Sequence, residues 1–569
     1  MTPKHTKLAL ACAAALALFA PLGCDALLGG GGYDVASDAG SSIPDVTTPG
    51  ADVQSTPDTG PSGVDASDGC ATDPQNKPGF EGACTNGTCA PFDNASRNTM
   101  CADGGTVCPD LPAPVDAGPP PVVDSGAPEA SAGDDGGDEA GPPPPPPDAG
   151  PTHPSCFSLS AGPAGGAFPK PVLYATGSTA IQPYVARVSQ VLQQIGAGSV
   201  VYLGSGSCSG VNAMVNPNQG YKLAQLGATA TYYDSVLSSG NVQSGTCAID
   251  DPNKLADLGL SDVFPETCLP QQLSNGLGSL GLNDFHGPVE VMEMVVPTTS
   301  SQSSVSTPAA YMIWGFGDQS GVSPWTDETY LFQRSATSGT QNEIASLIGV
   351  PAAQWHGSKH SGSSDVLTAI QNVKNGLLPN GAPGGDKANV EKTMGILASD
   401  FADANRQDLK PLAVQDMGQS CGWFPDSTQS SFDKKNVRDG HYPIWGPSHL
   451  LANVDGQGNP TSGAVDTLIK SMNGANPDVL AQLDIVQFYA SSHIIPSCAM
   501  HVSRSSDGGD YSPFSPPVPC SCYYDLKATG QTTCASCSND TDCAGAPGGA
   551  TSCVKWGIPA VGYCEEPAH

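Results

Sequence analysis

Two short loops rich in glycine, serine and threonine carry the polar groups best placed for chemistry. Gly177-Ser-Thr179 follows a strand-like segment at 172–175, and Gly204-Ser-Gly-Ser-Cys-Ser-Gly210 follows another at 199–203. Each loop leads into a helix-like segment, so its backbone N–H groups lie at a helix N-terminus, where they have no partner within the helix. Such N–H groups, together with the helix dipole, suit anions. The pattern therefore predicts a setting for an anion.

Sequence signatures of hydrolytic enzymes are not convincing. Gly-x-Ser-x-Gly occurs at 418–422, but no helix pattern follows it and Pro425 comes three residues later, so it is not a nucleophile elbow; we find no His-Glu-x-x-His and no convincing pair of carboxylates. We therefore predict a protein that is not an enzyme. A phosphatase or an esterase is the least favoured class of function.

The elements that position these loops alternate between strand and helix. Over residues 181–195 one helical face is apolar; its members are Ile181, Tyr184, Val185, Val188, Val191, Leu192 and Ile195. Strand, glycine loop and helix in series are typical of an α/β fold with parallel sheets. A folded body of about 330 residues is long enough for two lobes.

Six segments resemble the phosphate-binding receptors that feed ABC importers. Four are similar to loops of that family: Gly177-Ser-Thr-Ala-Ile-Gln-Pro-Tyr-Val-Ala-Arg187, Tyr202-Leu-Gly-Ser-Gly-Ser-Cys-Ser-Gly210, Leu258-Gly-Leu-Ser-Asp262 and Arg334-Ser-Ala-Thr-Ser-Gly-Thr340. Two more, at 394–398 and 442–445, are similar to strands of the family. The resemblance implies an α/β, two-lobed fold of the periplasmic-binding-protein type 2 class.

The same resemblance implies an anion site between the lobes. Its residues are Thr179, Ser207, Asp262, Arg334, Ser338, Gly339 and Thr340. Hydroxyls, amides and a guanidinium fork are the donors that a buried oxyanion requires. Asp262 fits beside an anion only if a proton lies between them, which favours phosphate over sulfate. The family usually has an acidic residue where this chain has Ala336, so affinity and the choice of oxyanion stay open.

The N-terminus resembles a bacterial lipoprotein signal. Basic residues precede an apolar run at 8–20, which is too short to span a bilayer. Pro21-Leu-Gly-Cys24 resembles a lipobox, although proline stands where leucine is usual. We predict export, lipidation of Cys24 and anchoring to the cell envelope. An ordinary secretory signal is the alternative, and the choice between inner and outer membrane stays open.

Eighteen of the 20 cysteines remain once Cys12 and Cys24 are set aside, and an even number in an exported chain predicts disulfides. An island of five, which needs an outside partner such as Cys156, contains Cys70, Cys84, Cys89, Cys101 and Cys108. A C-terminal group contains Cys520, Cys522, Cys534, Cys537, Cys543, Cys553 and Cys564. Cys208 has Cys247 or Cys268 as candidate partners. Disulfides are favoured over zinc because no histidines cluster there, and we predict neither metal nor cofactor.

Composition divides the chain into four parts. We assign 1–23 to a signal peptide, 24–167 to an acidic tether with a cysteine-rich island at 70–108, 168–500 to the two-lobed domain and 501–569 to a cysteine-rich module. Residues 25–169 hold 21 acidic residues against Lys77 and Arg97, within a formal net charge of −33. Their richness in Pro, Gly, Ala and Ser predicts disorder. The acidity argues against nucleic acid as a partner.

The resemblance implies an extracytoplasmic solute-binding protein that captures phosphate or a similar tetrahedral oxyanion. Its partners would be that anion, an ABC permease and, through lipid, the membrane. A cell-surface adhesion or matrix protein that reuses the fold is the alternative, because fold does not dictate function. A neighbouring permease gene would favour import.

Overall fold

The structure is a computed structural model that describes residues 75–83, 85–94, 96–97, 109–112, 153–238, 241–546 and 550–565. Its α-helices are α1 Lys77–Glu81, α2 Gln182–Gln194, α3 Ser207–Val215, α4 Leu223–Leu226, α5 Pro265–Cys268, α6 Thr307–Phe316, α7 Gly339–Ile348, α8 Ser363–Lys374, α9 Ser399–Ala404, α10 Lys435–Arg438, α11 Gly463–Met472, α12 Pro477–Leu480, α13 Ile485–Ser491 and α14 Ser521–Thr529.

The strands are β1 Cys89–Ala90, β2 Val172–Gly177, β3 Ser199–Gly204, β4 Thr229–Ser238, β5 Asn241–Ala248, β6 Leu258–Ser261, β7 Leu282–Pro297, β8 Ser304–Ser306, β9 Leu331–Gln333, β10 Ser358–Lys359, β11 Met394–Ala398, β12 Leu409–Pro411, β13 Ala413–Gln415, β14 Gly422–Trp423, β15 Trp445–Asn453, β16 Val502–Arg504, β17 Tyr511–Pro513, β18 Ser536–Cys537, β19 Ser552–Trp556 and β20 Val561–Glu565. Within the described ranges, no helix combines the length and apolar character needed to cross a membrane.

One long strand joins two groups of strands. The first part of β7 pairs with β15, which leads through β6, β2, β3 and β4 to β5; we call this group the first lobe. The second part of β7 pairs with β11 and β12, and β11 leads through β9 to β10; this group is the second lobe. Strand β2 is parallel to both β3 and β6, and β9 is parallel to both β10 and β11. The predicted α/β, two-lobed fold class is confirmed.

Hydrophobic burial follows this division. One buried cluster, with Tyr174 and Val201, lies in the first lobe, and another, with Phe332 and Ile370, lies in the second. A third and larger cluster runs through both lobes, from Tyr184 to Trp314. Because the core is continuous across β7, the two lobes are held together by packing as well as by the chain.

Most of the predicted elements form where the pattern placed them. Helix α2 buries the predicted face, although Ile195 caps the helix and is 36% exposed. Strand β11 matches 394–398. The late strand predicted at 442–445 is present as β15, but it begins only at Trp445. Pro443 lacks the N–H that a strand needs, and Tyr442 is instead buried, with its hydroxyl donating to the Met292 carbonyl at 2.7 Å.

Seven disulfides link the described cysteines: Cys89–Cys421, Cys156–Cys247, Cys208–Cys268, Cys498–Cys520, Cys522–Cys534, Cys537–Cys553 and Cys543–Cys564. The prediction of disulfides is confirmed, and Cys208 takes the second of its two candidate partners. The outside partner of the N-terminal island is not Cys156. Instead Cys89 reaches Cys421, which it can do because β1 pairs with β14. Cys24, Cys70, Cys84, Cys101 and Cys108 lie outside the described residues.

The N-terminal segment is not wholly a tether. Phe80 and Phe92 are buried in the main core, and Lys77 Nζ lies 2.7 Å from an Asp416 carboxylate oxygen. The average composition of 24–167 did not reveal these contacts, because Phe80 and Phe92 are only two large apolar residues in a long polar segment. The boundary at 168 therefore does not separate folded from unfolded chain.

The boundary placed at 500 also cuts through packed structure. Arg504, on β16, is buried and pairs with Glu343 of α7 at 2.9 Å, and Tyr511, on β17, is 2% exposed. Cys498 and Cys520 are joined by a disulfide across the boundary. Three more disulfides pair cysteines within 522–564, where β18, β19 and β20 form a small antiparallel sheet.

Candidate functional site

Three of the loops singled out by sequence meet where β3, β6 and β9 end. Ser207, the first residue of α3, donates from Oγ to Asp262 Oδ2 at 3.1 Å. Asp262 directly follows β6, and its own backbone N–H donates to the same hydroxyl at 3.3 Å. Gly339 opens α7 from the other lobe. A Cβ on Gly339 would lie 2.3 Å from Asp262 Oδ2 and 2.4 Å from Ser207 Oγ, so only glycine fits there.

Close backbone packing brings Ser207 to Asp262. A Cβ on Gly210 of α3 would lie 2.5 Å from the Leu260 carbonyl oxygen and 2.7 Å from the Gly177 Cα. Helix α3 therefore lies directly on β2 and β6, with no side chain between them at this point. Its first residue is held at the end of β6, which places the Ser207 hydroxyl beside Asp262.

The two lobes touch at this place. The backbone N–H of Cys208 donates to the Thr337 carbonyl at 3.4 Å. A Cβ on Gly206 would lie 3.2 Å from the same oxygen. The loop that precedes α3 thus lies against the loop that precedes α7, and the site is closed over by main chain from both lobes.

Arg334 supplies the site with a buried positive charge. It is 6% exposed, and its Nη1 donates to Ser363 Oγ, at the start of α8, at 2.7 Å. Its Nε has no hydrogen-bond partner among the described residues. Burial lowers the pKa of Arg334, and the nearby carboxylates of Asp262, Asp400 and Asp365 oppose that effect. Ser363 therefore orients the guanidinium, and residue 336, in the loop that follows Arg334, is alanine.

Of the remaining predicted site residues, two are buried beside Gly339 and one is exposed. Ser338 and Thr340 are buried beside Gly339, and Ser338 occupies the N-cap position of α7 without a side-chain capping bond. Thr179 is exposed, and its methyl group faces Gly204. Its neighbour Ser178 is the buried hydroxyl at this point, 1% exposed. The contacts therefore bring together Ser207, Asp262 and Gly339, with Arg334 coupled to them by charge, and leave Thr179 on the rim.

Two acids with buried carboxyl oxygens, which the sequence analysis did not select, belong to the same group. Glu290, on β7, is 2% exposed, and its carboxyl group is close enough to that of Asp262 to share a proton with it. Asp400, the second residue of α9, has an unpartnered buried Oδ1. A signal for Glu290 was present, because a charged residue inside an apolar strand is rarely buried without a role. Asp400 offered none, since acidic residues are common in the first turn of any helix.

Proton sharing sets the charge of this group. Burial raises the pKa of Asp262, whereas hydrogen bonds from Ser178 and Ser207 and the charge of Arg334 lower it. Burial, followed by repulsion from Asp262 and Asp400, raises the pKa of Glu290 well above its usual range. Burial raises the pKa of Asp400 to about 7. Glu290 is therefore the more readily protonated member of the Asp262–Glu290 pair, and Asp262 the more readily ionised one.

The unpartnered atoms define what a ligand would have to supply. Arg334 Nε and the hydroxyl of Tyr184 are buried donors without acceptors, and Asp262 Oδ1 is a buried acceptor without a donor. The Tyr184 hydroxyl is coupled by charge to Asp400, Glu290 and Asp262. Leaving such groups unpaired costs about 1–3 kcal/mol each, more if charged. These atoms call for a ligand that both accepts and donates hydrogen bonds.

No protein-family model matches the chain, and no curated protein matches its sequence. Several solved structures are similar at low identity. A phosphate ABC transporter substrate-binding protein with bound phosphate, from Clostridium perfringens, is 12% identical over 57% of this chain and 99% of that chain, with a TM-score of 0.36. An ABC-type phosphate transport receptor from Vibrio cholerae is 14% identical over 53% of this chain and 94% of that chain, with a TM-score of 0.32.

A high-affinity periplasmic phosphate-binding protein of the DING type, bound with phosphate, is 15% identical over 57% of this chain and 90% of that chain, with a TM-score of 0.35. These neighbours are phosphate-binding proteins at low identity and low TM-score. The fold assigned to this chain rests on its own strand order and on the two lobes that share β7.

Proposed function

We propose that this chain is a solute-binding protein that captures a protonated tetrahedral oxyanion, with phosphate the first candidate, between its two lobes. The observation that carries the proposal is the buried guanidinium of Arg334, whose Nε has no hydrogen-bond partner among the described residues. This guanidinium interacts by charge with the Asp262 carboxylate, whose Oδ1 receives no hydrogen bond from a described donor. An oxyanion with at least one proton offers acceptors to the guanidinium and a donor to Asp262 Oδ1.

Charge balance supports this ligand. With Glu290 protonated, Arg334 and the ionised Asp262 offset each other, and Asp400 is partly protonated because its pKa is about 7. A small anion therefore enters a site close to neutral rather than a cluster of negative charges. The backbone N–H groups at the start of α7, beside Gly339, add donors without adding charge.

Binding without catalysis is part of the proposal. The Ser207 hydroxyl donates to a carboxylate rather than to an imidazole, so the serine–histidine pair that commonly activates a serine nucleophile is not formed by Ser207. A receptor needs only donors and acceptors that close around the ligand, which is what the cluster offers. Delivery of the anion to an ABC permease is the further step that we propose, and stimulation of permease ATPase activity by the loaded chain would test it.

The central experiment is calorimetry with phosphate on the wild type and on Arg334→Ala. Removing the guanidinium leaves a desolvated anion without its partner charge, so affinity should fall by about a hundredfold or more. Arg187→Ala is the matched control, because burial alone shifts the pKa of Arg187 and no carboxylate of the cluster is involved. Equal phosphate affinity in wild type and Arg334→Ala would place the site elsewhere. Phosphoester hydrolysis lost in Arg334→Ala would contradict binding without catalysis.

We also propose export and lipid anchoring through Cys24. The seven disulfides support passage through an oxidising compartment, since such bonds are rare in the cytosol. Cys24→Ala should abolish incorporation of labelled fatty acid and partition into detergent. Equal labelling of the two chains would exclude lipid at Cys24.

A further inference from the structure

A second cluster of ligand-type side chains lies on β7 and β15, outside the site described above. His286 and His449 are directly opposite each other across the two antiparallel strands, and Asp284 is opposite Leu451. Side chains two residues apart on a strand share a face, so Asp284 and His286 lie on the face that His449 occupies. A shift in strand register between Pro447 and His449 sets this alignment.

The distances place three potential metal ligands around one point. His449 Nδ1 lies 2.6 Å from Asp284 Oδ2, and His286 Nε2 lies 3.4 Å from the same oxygen. One ligand atom from each residue lies within 4.8 Å of the other two. The two imidazole rings meet edge to face, with centroids 5.1 Å apart. In a tetrahedral site with bonds of about 2.0–2.1 Å, ligand atoms are about 3.3 Å apart.

The His286–Asp284 distance already has that value. The His449–Asp284 contact is shorter because a hydrogen bond occupies it, and a rotation of the carboxylate would open it to the required spacing. The carboxylate has a second oxygen to offer when it rotates, because Asp284 Oδ1 is buried without a hydrogen-bond partner among the described residues. His449 Nε2 is likewise buried without a partner there. A hydrogen-bonded pair alone leaves both atoms unused.

The surroundings suit a bound cation that stays accessible. The His449 side chain is fully buried and that of Asp284 is 13% exposed, whereas His286 is 49% exposed and opens the cluster to solvent. The Phe264 ring packs against His449, with centroids 4.3 Å apart, and shields the other side. Two imidazoles and one carboxylate are the donor set of catalytic-type zinc sites, which keep a fourth position for water.

We propose that Asp284, His286 and His449 form a binding site for a divalent transition metal, with Zn²⁺ the cation that this donor set fits. The cation links β7 to β15. On its other edge β15 pairs with β6, where His449 is opposite Ser261, the residue before Asp262. A bound cation therefore also stabilises the strand that carries Asp262. The proposal does not depend on the identity of the oxyanion.

Zinc titration of the chelator-treated mature chain, in buffer free of phosphate, tests the site. We expect one equivalent of Zn²⁺ to bind, and His286→Ala to weaken it by more than the roughly 10–100-fold that a change outside the ligand set costs. His286 is half exposed, so this variant should fold; its metal-free unfolding midpoint should equal that of the wild type. His356→Ala is the matched control, since His356 Nδ1 contacts Glu328 at 2.9 Å on the surface without a second histidine.

Two further measurements make the outcome decisive. Zn²⁺ should raise the unfolding midpoint of the wild type and of His356→Ala, but not that of His286→Ala. Co²⁺ should give the visible absorption of a tetrahedral site in the same two chains. The absence of stoichiometric zinc binding, or equal zinc affinity in His286→Ala and His356→Ala, would overturn the proposal.

Discussion

Asp262 has one carboxylate oxygen bound by Ser207 and one left without a partner. Because Glu290 is the more readily protonated member of the pair, Asp262 is the carboxylate that can accept a hydrogen bond from a protonated phosphate, and its two oxygens have lone pairs for more than one donor. Sulfate carries no proton at neutral pH, so its oxygen would meet the carboxylate directly. At an effective dielectric constant of about 20, two unit charges about 4 Å apart repel by roughly 4 kcal/mol, which is enough for strong discrimination.

Asp262→Asn should therefore let sulfate compete with phosphate, because an amide N–H can face a bare anion oxygen. Arsenate, which is protonated like phosphate, should compete in both chains. Competition binding at neutral pH measures the two ratios. Asp466→Asn is the control, because the Asp466 carboxylate is partly exposed and pairs with Lys470. An unchanged sulfate-to-phosphate ratio in Asp262→Asn would remove Asp262 from contact with the ligand.

At the level of single residues, the sequence predicts which loops reach the site better than it predicts which side chains of those loops face it. The loop 177–179 ends at the site, yet its buried hydroxyl belongs to Ser178, while Thr179 is exposed. Which of two adjacent hydroxyls points inward depends on the turn, and both residue types tolerate either position. The metal-binding cluster could not be predicted at all, because Asp284 and His449 are 165 residues apart and only the register of β7 on β15 brings them together.

At the level of elements, the Cys208–Cys268 disulfide ties α3 to α5. Helix α3 begins with Ser207, and α5 follows Asp262 by three residues, so the bridge fixes both sides of the anion site. It closes a sequence separation of 60 residues. A cross-link of this length is expected to contribute about 2–4 kcal/mol to the free energy of unfolding by restricting the unfolded chain.

Replacing both cysteines of this bridge with serine should therefore lower the free energy of unfolding by about 2–4 kcal/mol, measured with denaturant. Phosphate affinity should fall as well, because the Ser207 hydroxyl is then less firmly held against Asp262. The control removes the Cys537–Cys553 bridge, which lies in the C-terminal module. If both double variants bound phosphate with wild-type affinity, the bridge would stabilise the fold without positioning the site.

Strands and helices were predictable where the apolar residues of the sequence follow a clear pattern. The apolar face of α2 forms as expected because one residue in three to four must face the core, and β11 forms as expected because it is a short apolar run that is buried at all five positions. Strand β7 contains Glu290 and Glu293, both buried, so its 16 residues do not follow a simple pattern. The role of β7 as the strand shared by both lobes follows from its length, which only the folded chain reveals.

At the scale of the whole molecule, the two ends of the chain are bound to the lobes between them. The N-terminal segment adds β1 to a sheet edge and buries Phe80 and Phe92. From the other end, Arg504 reaches Glu343 on α7. Composition cannot predict such anchoring, because a few large apolar side chains within a long polar stretch barely change its average.

The N-terminal anchor leads to a prediction about truncation. A chain that starts at His153 loses two buried phenylalanines, each worth about 1.5–3 kcal/mol, and the disulfide to Cys421, which closes a separation of 332 residues. Its unfolding midpoint should therefore fall by several degrees relative to the mature chain. The thiol of Cys421, left without its partner, should react as a single equivalent with a thiol reagent.

A chain that starts at Gly69 is the matched control. It keeps every cysteine from Cys70 onward and both buried phenylalanines, and it lacks only residues that the sequence assigns to the tether. We expect it to unfold like the mature chain and to have no additional reactive thiol. If the chain from His153 matched the mature chain in unfolding midpoint, the packing of Phe80 and Phe92 would contribute nothing to stability. If the chain from Gly69 were destabilised as strongly as the chain from His153, the stabilising contacts would lie in residues 25–68 rather than in the anchor.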